Sequence, residues 1–188
     1  MAPNDLHMEK IKKMKTKKLT FVILFGLVLA GCTSNVPADM RLMMMDQEDI
    51  PSEWVIFNES TGEEWGGEVY NIGFAYGNES TSAAIEQQLI VYSDATAAVK
   101  GFGEYTGYIY TAGWSTPVEA NFAPVTAGDL YEFKCADQEL DHTVLKNCLV
   151  LQQHDNYVSA VGASVSGPLT FEALNSALKA IDAKLNGN

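Results

Sequence analysis

Apolar and polar residues alternate from Tyr70 to Tyr76, which places one aromatic and aliphatic face on a predicted strand. Apolar residues dominate four further segments of strand length, so more strands are predicted at 85–92, 130–135, 148–152 and 157–165. His154-Asp155-Asn156 forms the turn into the last of them. By contrast, residues 57–67 (FNESTGEEWGG) are acidic and rich in turn formers, and the sequence predicts a loop there.

A spacing of three and four between apolar residues predicts two main helices. The first follows Ser93-Asp94, which offers an N-cap, and continues to Tyr110 with glycines at three positions. The second begins after the cap residue Thr170 and ends at Asn186-Gly187. Each presents one apolar stripe, which is typical of a helix packed on a sheet.

A short helix is predicted in the methionine-rich segment 40–50, which Pro51 ends. Leu42, Met45 and Ile50 form its apolar face. Four methionines in this segment also fit a copper(I) site, because thioethers are soft ligands, but no His or Cys lies nearby. Methionine is an ordinary filler of protein cores, and we favour that interpretation.

The predicted order of elements is short helix, β, β, α, β, β, β, α. This order predicts an α+β fold: a largely antiparallel sheet of about five strands, two main packed helices and a short N-terminal helix. We expect residues 40–188 to form a single domain, a length that suits one core.

Ahead of this domain lies a basic stretch, with six lysines between residues 10 and 18, followed by an apolar run over 19–30. Twelve residues are too few to span a bilayer, which needs about 20. A basic start, a short apolar centre and small residues at its end together indicate a secretory signal peptide. Leu29-Ala30-Gly31-Cys32 resembles the lipobox of bacterial lipoproteins.

The lipobox resemblance implies cleavage before Cys32 and attachment of lipid to its thiol. Residues 1–31 are then a signal peptide and 32–39 a tether. The protein is expected in the bacterial cell envelope, extracytoplasmic and held to the membrane through the lipid. That membrane is the outer one if the organism has one, and otherwise the outer face of the cytoplasmic membrane.

The charge of the segment after residue 31 narrows the partners. It carries six cationic and 22 acidic side chains, a net charge of −16. Nucleic acid is therefore excluded as a partner, because phosphates are bound mainly by Lys and Arg. An anionic membrane surface also repels the domain, so the attached lipid is expected to provide the membrane anchor. An envelope protein or a neutral or cationic ligand remains as partner.

Two cysteines remain once Cys32 is assigned to lipid. Cys135 and Cys148 form an even pair in an oxidising compartment, and the sequence predicts a disulfide between them. A metal site is the weaker alternative, since only His142 lies between the two thiols.

Candidate chemistry is sparse. His142 and His154 are interpreted as solvated surface residues, and no nucleophile elbow, phosphate loop or EF-hand is present. The sequence predicts no catalytic residue, no metal and no cofactor. Two classes stay open: a non-catalytic binding, sensing or accessory module, and a hydrolase whose carboxylates come from distant positions.

Aromatic residues are closely spaced at the end of the first main helix, and they are the candidate interaction surface: Tyr105, Tyr108, Tyr110 and Trp114. Exposed beside acidic loops, such rings suit a neutral or cationic partner. The alternative is that they complete the core.

Three passages of the domain carry a further resemblance: DIPSEW, LIVYSDATAAV and NCLVLQQHDNYVSAV. They are similar to sequences of bacterial surface lipoproteins, whose plan is similar to the extracellular sensor domains of some bacterial kinases and to the photosystem II extrinsic P-subunit. The resemblance implies an α+β sandwich and no catalytic residues.

Overall fold

A computed structural model of the chain describes residues 37–76, 83–119, 122–123, 130–140 and 143–187. Cys32, the signal segment and His142 lie outside these ranges. Three helices and six strands are present in the described part: α1 (Ala38–Leu42), β1 (Trp54–Glu64), β2 (Gly67–Tyr76), β3 (Ala84–Val91), α2 (Ala95–Ile109), β4 (Tyr131–Leu140), β5 (Thr143–His154), β6 (Tyr157–Val165) and α3 (Phe171–Asn186).

The six strands form one sheet in the order β1-β2-β3-β6-β5-β4, with every neighbouring pair antiparallel. The predicted α+β class with an antiparallel sheet is therefore confirmed, with six strands in place of about five. Strands β3 and β6 are central, and β3 is buried over most of its length on both faces. This explains why β3 shows little alternation in its sequence.

Helix α3 covers one face of the sheet. Its stripe of Leu174, Leu178, Ile181 and Leu185 packs in the larger core cluster with side chains from β2, β3, β5 and β6. The Thr170 side chain accepts a hydrogen bond from the Ala173 N–H, and the helix ends at Gly187 as the sequence predicts.

Helix α2 lies on the opposite face of the sheet. It packs with Ile90, Leu151 and Val158, which alternate along their strands with residues facing α3. The Asp94 side chain caps α2 by accepting from the Ala97 N–H. The described domain is thus a three-layer sandwich with α2 on one face of the sheet and α3 on the other.

The methionine-rich segment is part of the core under α3. Helix α1 ends at Leu42, and Met43, Met44 and Met45 follow it at exposures of 6% or less. Gln87 of β3 binds this segment through the Met45 N–H and the Met43 carbonyl. The methionines therefore fill the core. The helix itself is shorter than predicted and begins inside the stretch assigned to the tether.

The prediction of a loop over residues 57–67 is wrong, because residues 57–64 belong to β1. This strand lies at the edge of the sheet, and only Trp54 among its residues is buried. Without a buried face, no apolar period of two appears in its sequence. Backbone pairing with β2, from Trp54 opposite Tyr76 to Glu64 opposite Gly67, defines the strand instead.

Candidate functional site

Helix α2 approaches the sheet closely at a glycine. A Cβ atom at Gly101 would overlap the hydroxyl end of the Tyr92 ring, directly after β3, so any other residue there requires the Tyr92 side chain to move. Gly103 and Gly107 face open space instead. The close approach brings Phe102 and Tyr105 into the smaller core cluster and fixes which rings of α2 remain outside.

The turn between β1 and β2 places a tryptophan beside α2. Trp65 and Gly66 form a two-residue turn with φ values of 54° and 79°. Such turns favour Asn, Asp or Gly, and a left-handed conformation costs an L-residue about 1–2 kcal/mol. The Trp65 ring stacks on Tyr105, with centroids 4.8 Å apart, and lies 5.2 Å from Tyr108. Aromatic contacts of this kind offset part of the backbone cost.

We call Trp65, Tyr105 and Tyr108 the aromatic patch. Tyr108 is 69% exposed, Trp65 is half-buried, and Tyr105 at 4% belongs to the core beneath them. Exposed carboxylates of Glu63 and Glu64 directly precede Trp65. Burial, followed by the negative charge of Glu64, raises the pKa of Tyr105, so its hydroxyl stays neutral. The patch presents two rings next to negative charge.

The other two predicted aromatic residues form a separate pair. Tyr110 and Trp114 meet edge to face at 5.5 Å, and Lys134 lies 4.5 Å from the centre of the Tyr110 ring. The Tyr110 hydroxyl donates to the carbonyls of Glu132 and Leu149 on two neighbouring strands. Burial raises the pKa of Tyr110, which preserves this donor. These contacts fasten the end of α2 to the sheet.

A group of polar side chains lies on the α2 face of β1, β2 and β3, which we call the polar row: Asn58, Asn71, Glu86 and Gln88. Glu86 is 6% exposed and accepts a hydrogen bond of 2.6 Å from the Asn58 amide. Burial raises the pKa of Glu86 to about 7, and the Asn58 hydrogen bond opposes the rise. After burial and Glu64, the negative charge of Glu86 also contributes to the raised pKa of Tyr105 in the aromatic patch.

Two oxygens of the polar row have no hydrogen-bond partner. They are Gln88 Oε1 and Asn71 Oδ1, both shielded from solvent. Gln88 lies two residues from Glu86 on β3, and Asn71 stands opposite Gln88 on β2, so the three side chains share one face. Gln88 itself is only 3% exposed. A buried acceptor without a donor is costly, so each such atom requires an explanation, and a bound partner is one.

The predicted disulfide is present. Cys135 and Cys148 stand opposite each other on β4 and β5 with their Cα atoms 4.0 Å apart, and both are buried in the core under α3. Ser115 makes two backbone hydrogen bonds to Cys135 from the open side of β4. The bond therefore supports the sheet, and it lies on the face opposite the aromatic patch.

His154 is buried, contrary to its interpretation as a solvated residue. Its ring is 3.8 Å from Asp182 of α3, and it forms a 3.1 Å hydrogen bond with Asn186. Gln152 also donates to the Asp182 carboxylate. The last residues of β5 face α3, and the sequence shows this only as a turn signal at Asp155-Asn156. With side-chain exposures of 5% for His154 and 0% for Asp182, this pair ties the helix to the sheet.

A shallow groove of about 310 Å³ lies on the α3 side. It runs between α1 and the end of α3, and it is lined by Asp39, Met40, Leu42, Met43, Tyr157 and Leu185. Its lining is mostly apolar and contains a single carboxylate. Among the described residues, no group of three or more His, Cys, Asp or Glu side chains is placed to hold a metal ion.

Sequence reasoning missed Trp65, Glu86 and Asn58. One signal was available for Glu86, a single charge within the apolar strand IEQQLIVY. Trp65 lay in a segment assigned to a loop, where a tryptophan gives no indication of its neighbours. Asn58 contacts Glu86 across 28 residues of chain, and no local pattern reports such a contact.

A comparison with solved structures finds the extracellular domain of PknH from Mycobacterium tuberculosis. The match has a TM-score of 0.57 and 11% sequence identity, and it covers 81% of this chain and 98% of that chain. At this identity the likeness shows the fold alone, and it agrees at that level with the resemblance to extracellular sensor domains. No protein-family model matches the chain, and no curated protein sequence matches it.

In the described part of the chain, none of the helices has the length and apolar character needed to cross a membrane.

Proposed function

We propose that this chain is an extracytoplasmic, lipid-anchored binding module whose aromatic patch recognises a neutral or cationic partner. The observation that carries the proposal is Tyr108, a ring 69% exposed on a helix, held next to the strained and stacked Trp65. Strained backbone and exposed aromatic rings both concentrate at functional sites. The fold shared with an extracellular domain supports an extracytoplasmic role.

Charge selects the kind of partner. Glu63 and Glu64 flank the patch, and the segment after residue 31 has a net charge of −16. Ring faces attract cations by about 0.5–2 kcal/mol, and carboxylates add attraction over a Debye length of about 8 Å at physiological salt. An anionic partner would be repelled by the same groups.

The hydrolase alternative depends on a carboxylate that a substrate reaches. Asp182 and His154 are the nearest approach to a catalytic pair on the α3 face, but their side chains are 0% and 5% exposed. Glu86 has the Asn58 amide as its hydrogen-bond partner, and an amide serves neither as an acid nor as a base. Neither arrangement presents an acid and a base to solvent, and the binding function is favoured.

The test uses a photo-crosslinking amino acid at position 108 in cells of the native organism. We expect a discrete crosslinked product that disappears in the Trp65→Ala variant. Position 76 is the control, because Tyr76 is a 40% exposed ring at the opposite end of the same hairpin. Equal products at both positions, or products that persist in Trp65→Ala, would contradict the proposal.

The lipid anchor has its own test. Cys32→Ser removes the thiol that the lipobox resemblance assigns to lipid, and we expect the variant to leave the membrane fraction or to remain as an unprocessed precursor. Fractionation and the mass of the mature chain measure this. A variant that is processed and membrane-bound like the wild type would refute the anchor and leave the aromatic patch unaffected.

A further inference from the structure

The polar row has an acceptor surplus that the chain itself does not satisfy. Glu86 brings a carboxylate, and Gln88 Oε1 and Asn71 Oδ1 are two carbonyl oxygens without donors. Asn58 supplies a donor to Glu86 only. No described lysine or arginine forms an ion pair with Glu86. The row therefore presents three acceptor groups, one of them ionisable, on a single face.

We propose that the polar row binds a primary ammonium group, with Glu86, Gln88 and Asn71 each accepting one of its three N–H bonds. This inference rests on the binding function proposed above and names its ligand class. An ammonium carries three donors and no acceptor, which matches the number and kind of the groups in the row. Its charge favours the ionised form of Glu86, whose pKa burial raises to about 7 against the opposing effect of the Asn58 hydrogen bond.

Other cations fit the row less well. A calcium ion takes six to eight oxygen ligands, and a guanidinium has five donors in one plane. The described residues place no cluster of three or more His, Cys, Asp or Glu side chains that would hold a metal. A quaternary ammonium has no N–H and leaves Gln88 and Asn71 unsatisfied.

The surroundings of the row suit an alkyl chain attached to the ammonium. Helix α2 packs on the same face of the sheet as the row, and its Tyr105 interacts electrostatically with both Glu86 and Glu64. The Phe57 ring covers Gly73, where a Cβ atom would lie 2.7 Å from it, and Phe57 is 53% exposed.

Access to the row is from the edge of the sheet. On the open side, Asn58, Ser60 and Asn71 are half-exposed, whereas Gln88 beneath them is buried. A lysine side chain of a partner protein and a free polyamine share this chemistry: an alkyl chain that ends in an ammonium.

The test measures amine binding by the full chain purified in detergent. Titration calorimetry with n-butylamine is expected to show saturable binding, and tetramethylammonium is expected not to bind. Glu86→Gln should weaken butylamine binding about tenfold or more, because it removes a charged hydrogen bond. Glu104→Gln is the matched control, since Glu104 is an exposed carboxylate of α2 next to Lys100. We expect that variant to bind like the wild type.

A second measurement avoids dependence on the variant. In NMR spectra of the wild-type chain, the resonances of the Glu86 carboxyl carbon and of the Gln88 side-chain carbonyl carbon should shift on addition of butylamine. Absence of binding by butylamine, equal binding of tetramethylammonium, or unchanged affinity in a folded Glu86→Gln variant would each overturn the proposal.

Two further comparisons complete the test. The first distinguishes a protein lysine from a free polyamine, and the second distinguishes failure of the ammonium site from failure of the aromatic patch. Binding of a lysine-containing peptide but not of its acetyl-lysine form identifies a protein lysine, and binding of spermidine but not of the peptide identifies a free polyamine; both support the ammonium site. Loss of amine binding with crosslinking at position 108 intact overturns this inference alone. Intact amine binding without specific crosslinking overturns the patch as the partner surface alone.

Discussion

The two faces of the sheet are built differently. The face under α3 is closed by apolar side chains, the methionine segment and the disulfide, and Gln87 crosses this core to bind the backbone of Met43 and Met45. Two buried polar atoms on this face, Trp54 Nε1 and Gln152 Oε1, have no hydrogen-bond partner among the described residues.

The face under α2 is apolar only where the helix covers it. Toward β1 it carries Glu86, whose pKa is raised to about 7, and Gln88, whose side-chain oxygen has no hydrogen-bond partner in the described part of the chain. One face is thus a closed apolar core, and the other carries the proposed ammonium site.

Lys184 attaches the N-terminal segment to the closed face. Lys184 of α3 forms hydrogen bonds with the Met44 carbonyl and the carboxylates of Asp46 and Asp49. These contacts hold residues 44–49 against α3. They leave the aromatic patch on the opposite side of the sheet, where α2 and the hairpin turn present it.

The largest effect is expected from a cavity in the closed face. Phe74→Ala removes a ring that is 0% exposed and should lower the free energy of unfolding by about 4 kcal/mol. Phe57→Ala, at 53% exposure, is the control and should cost less than about 1 kcal/mol. Chemical denaturation of both variants measures the difference. Similar losses for the two would remove the distinction between the faces.

Loss of the disulfide is expected to follow in size. Replacing Cys135 and Cys148 by serine opens a loop with a sequence separation of 13 and should cost about 3 kcal/mol in the chain-entropy model. Because the bond lies under α3, crosslinking at position 108 should be unchanged once the variant is folded. A folded variant that loses crosslinking would show that the two faces are coupled.

The pH dependence of stability tests the open face. The pKa of Glu86 is raised from 4.5 to about 7, so the folded state favours the protonated acid. The resulting penalty is absent below about pH 4.5, grows as the pH rises, and reaches about 3 kcal/mol above pH 7. Asn58 of β1 donates a hydrogen bond to Glu86, and Tyr105 of α2 interacts with it electrostatically.

Glu86→Gln should therefore be more stable than the wild type by about 3 kcal/mol at pH 8 and equal to it at pH 4. Denaturation curves at the two pH values measure this, with Glu104→Gln as the control. A Glu86→Gln variant that is less stable at pH 8 would mean that the ionised carboxylate is a structural partner on this face.

The smallest change in stability is expected at the aromatic patch. Trp65→Asn replaces a tryptophan at φ 54° with a residue that tolerates this conformation, and it loses the stacking on Tyr105. The two contributions are each about 1 kcal/mol and opposite in sign, so the free energy of unfolding should change by less than about 1 kcal/mol. Crosslinking at position 108 should nevertheless disappear. A large loss of stability would assign Trp65 to the core.

Local pattern was enough for most of the fold. The apolar stripe of α3 and the alternation from Tyr70 to Tyr76 each indicate the side that faces the core, because burial repeats with the period of the element. The Thr170 cap indicates where α3 begins. The pairing of Cys135 with Cys148 also followed from the sequence, since only two cysteines remain after the predicted lipidated one. Edge strand β1 lacked such a pattern, because water rather than the core covers most of its side chains.

The candidate site was decided by tertiary structure. Sequence alone indicated aromatic residues at the end of α2, but it could not separate the exposed Tyr108 from the buried Tyr105, since both lie on one helix and packing determines their depth. Trp65 reaches Tyr105 from 40 residues away because antiparallel pairing ends β1 beside α2. Glu86 meets Asn58 for the same reason. Periodicity describes one segment at a time, whereas a site joins segments that only the pairing of strands brings together.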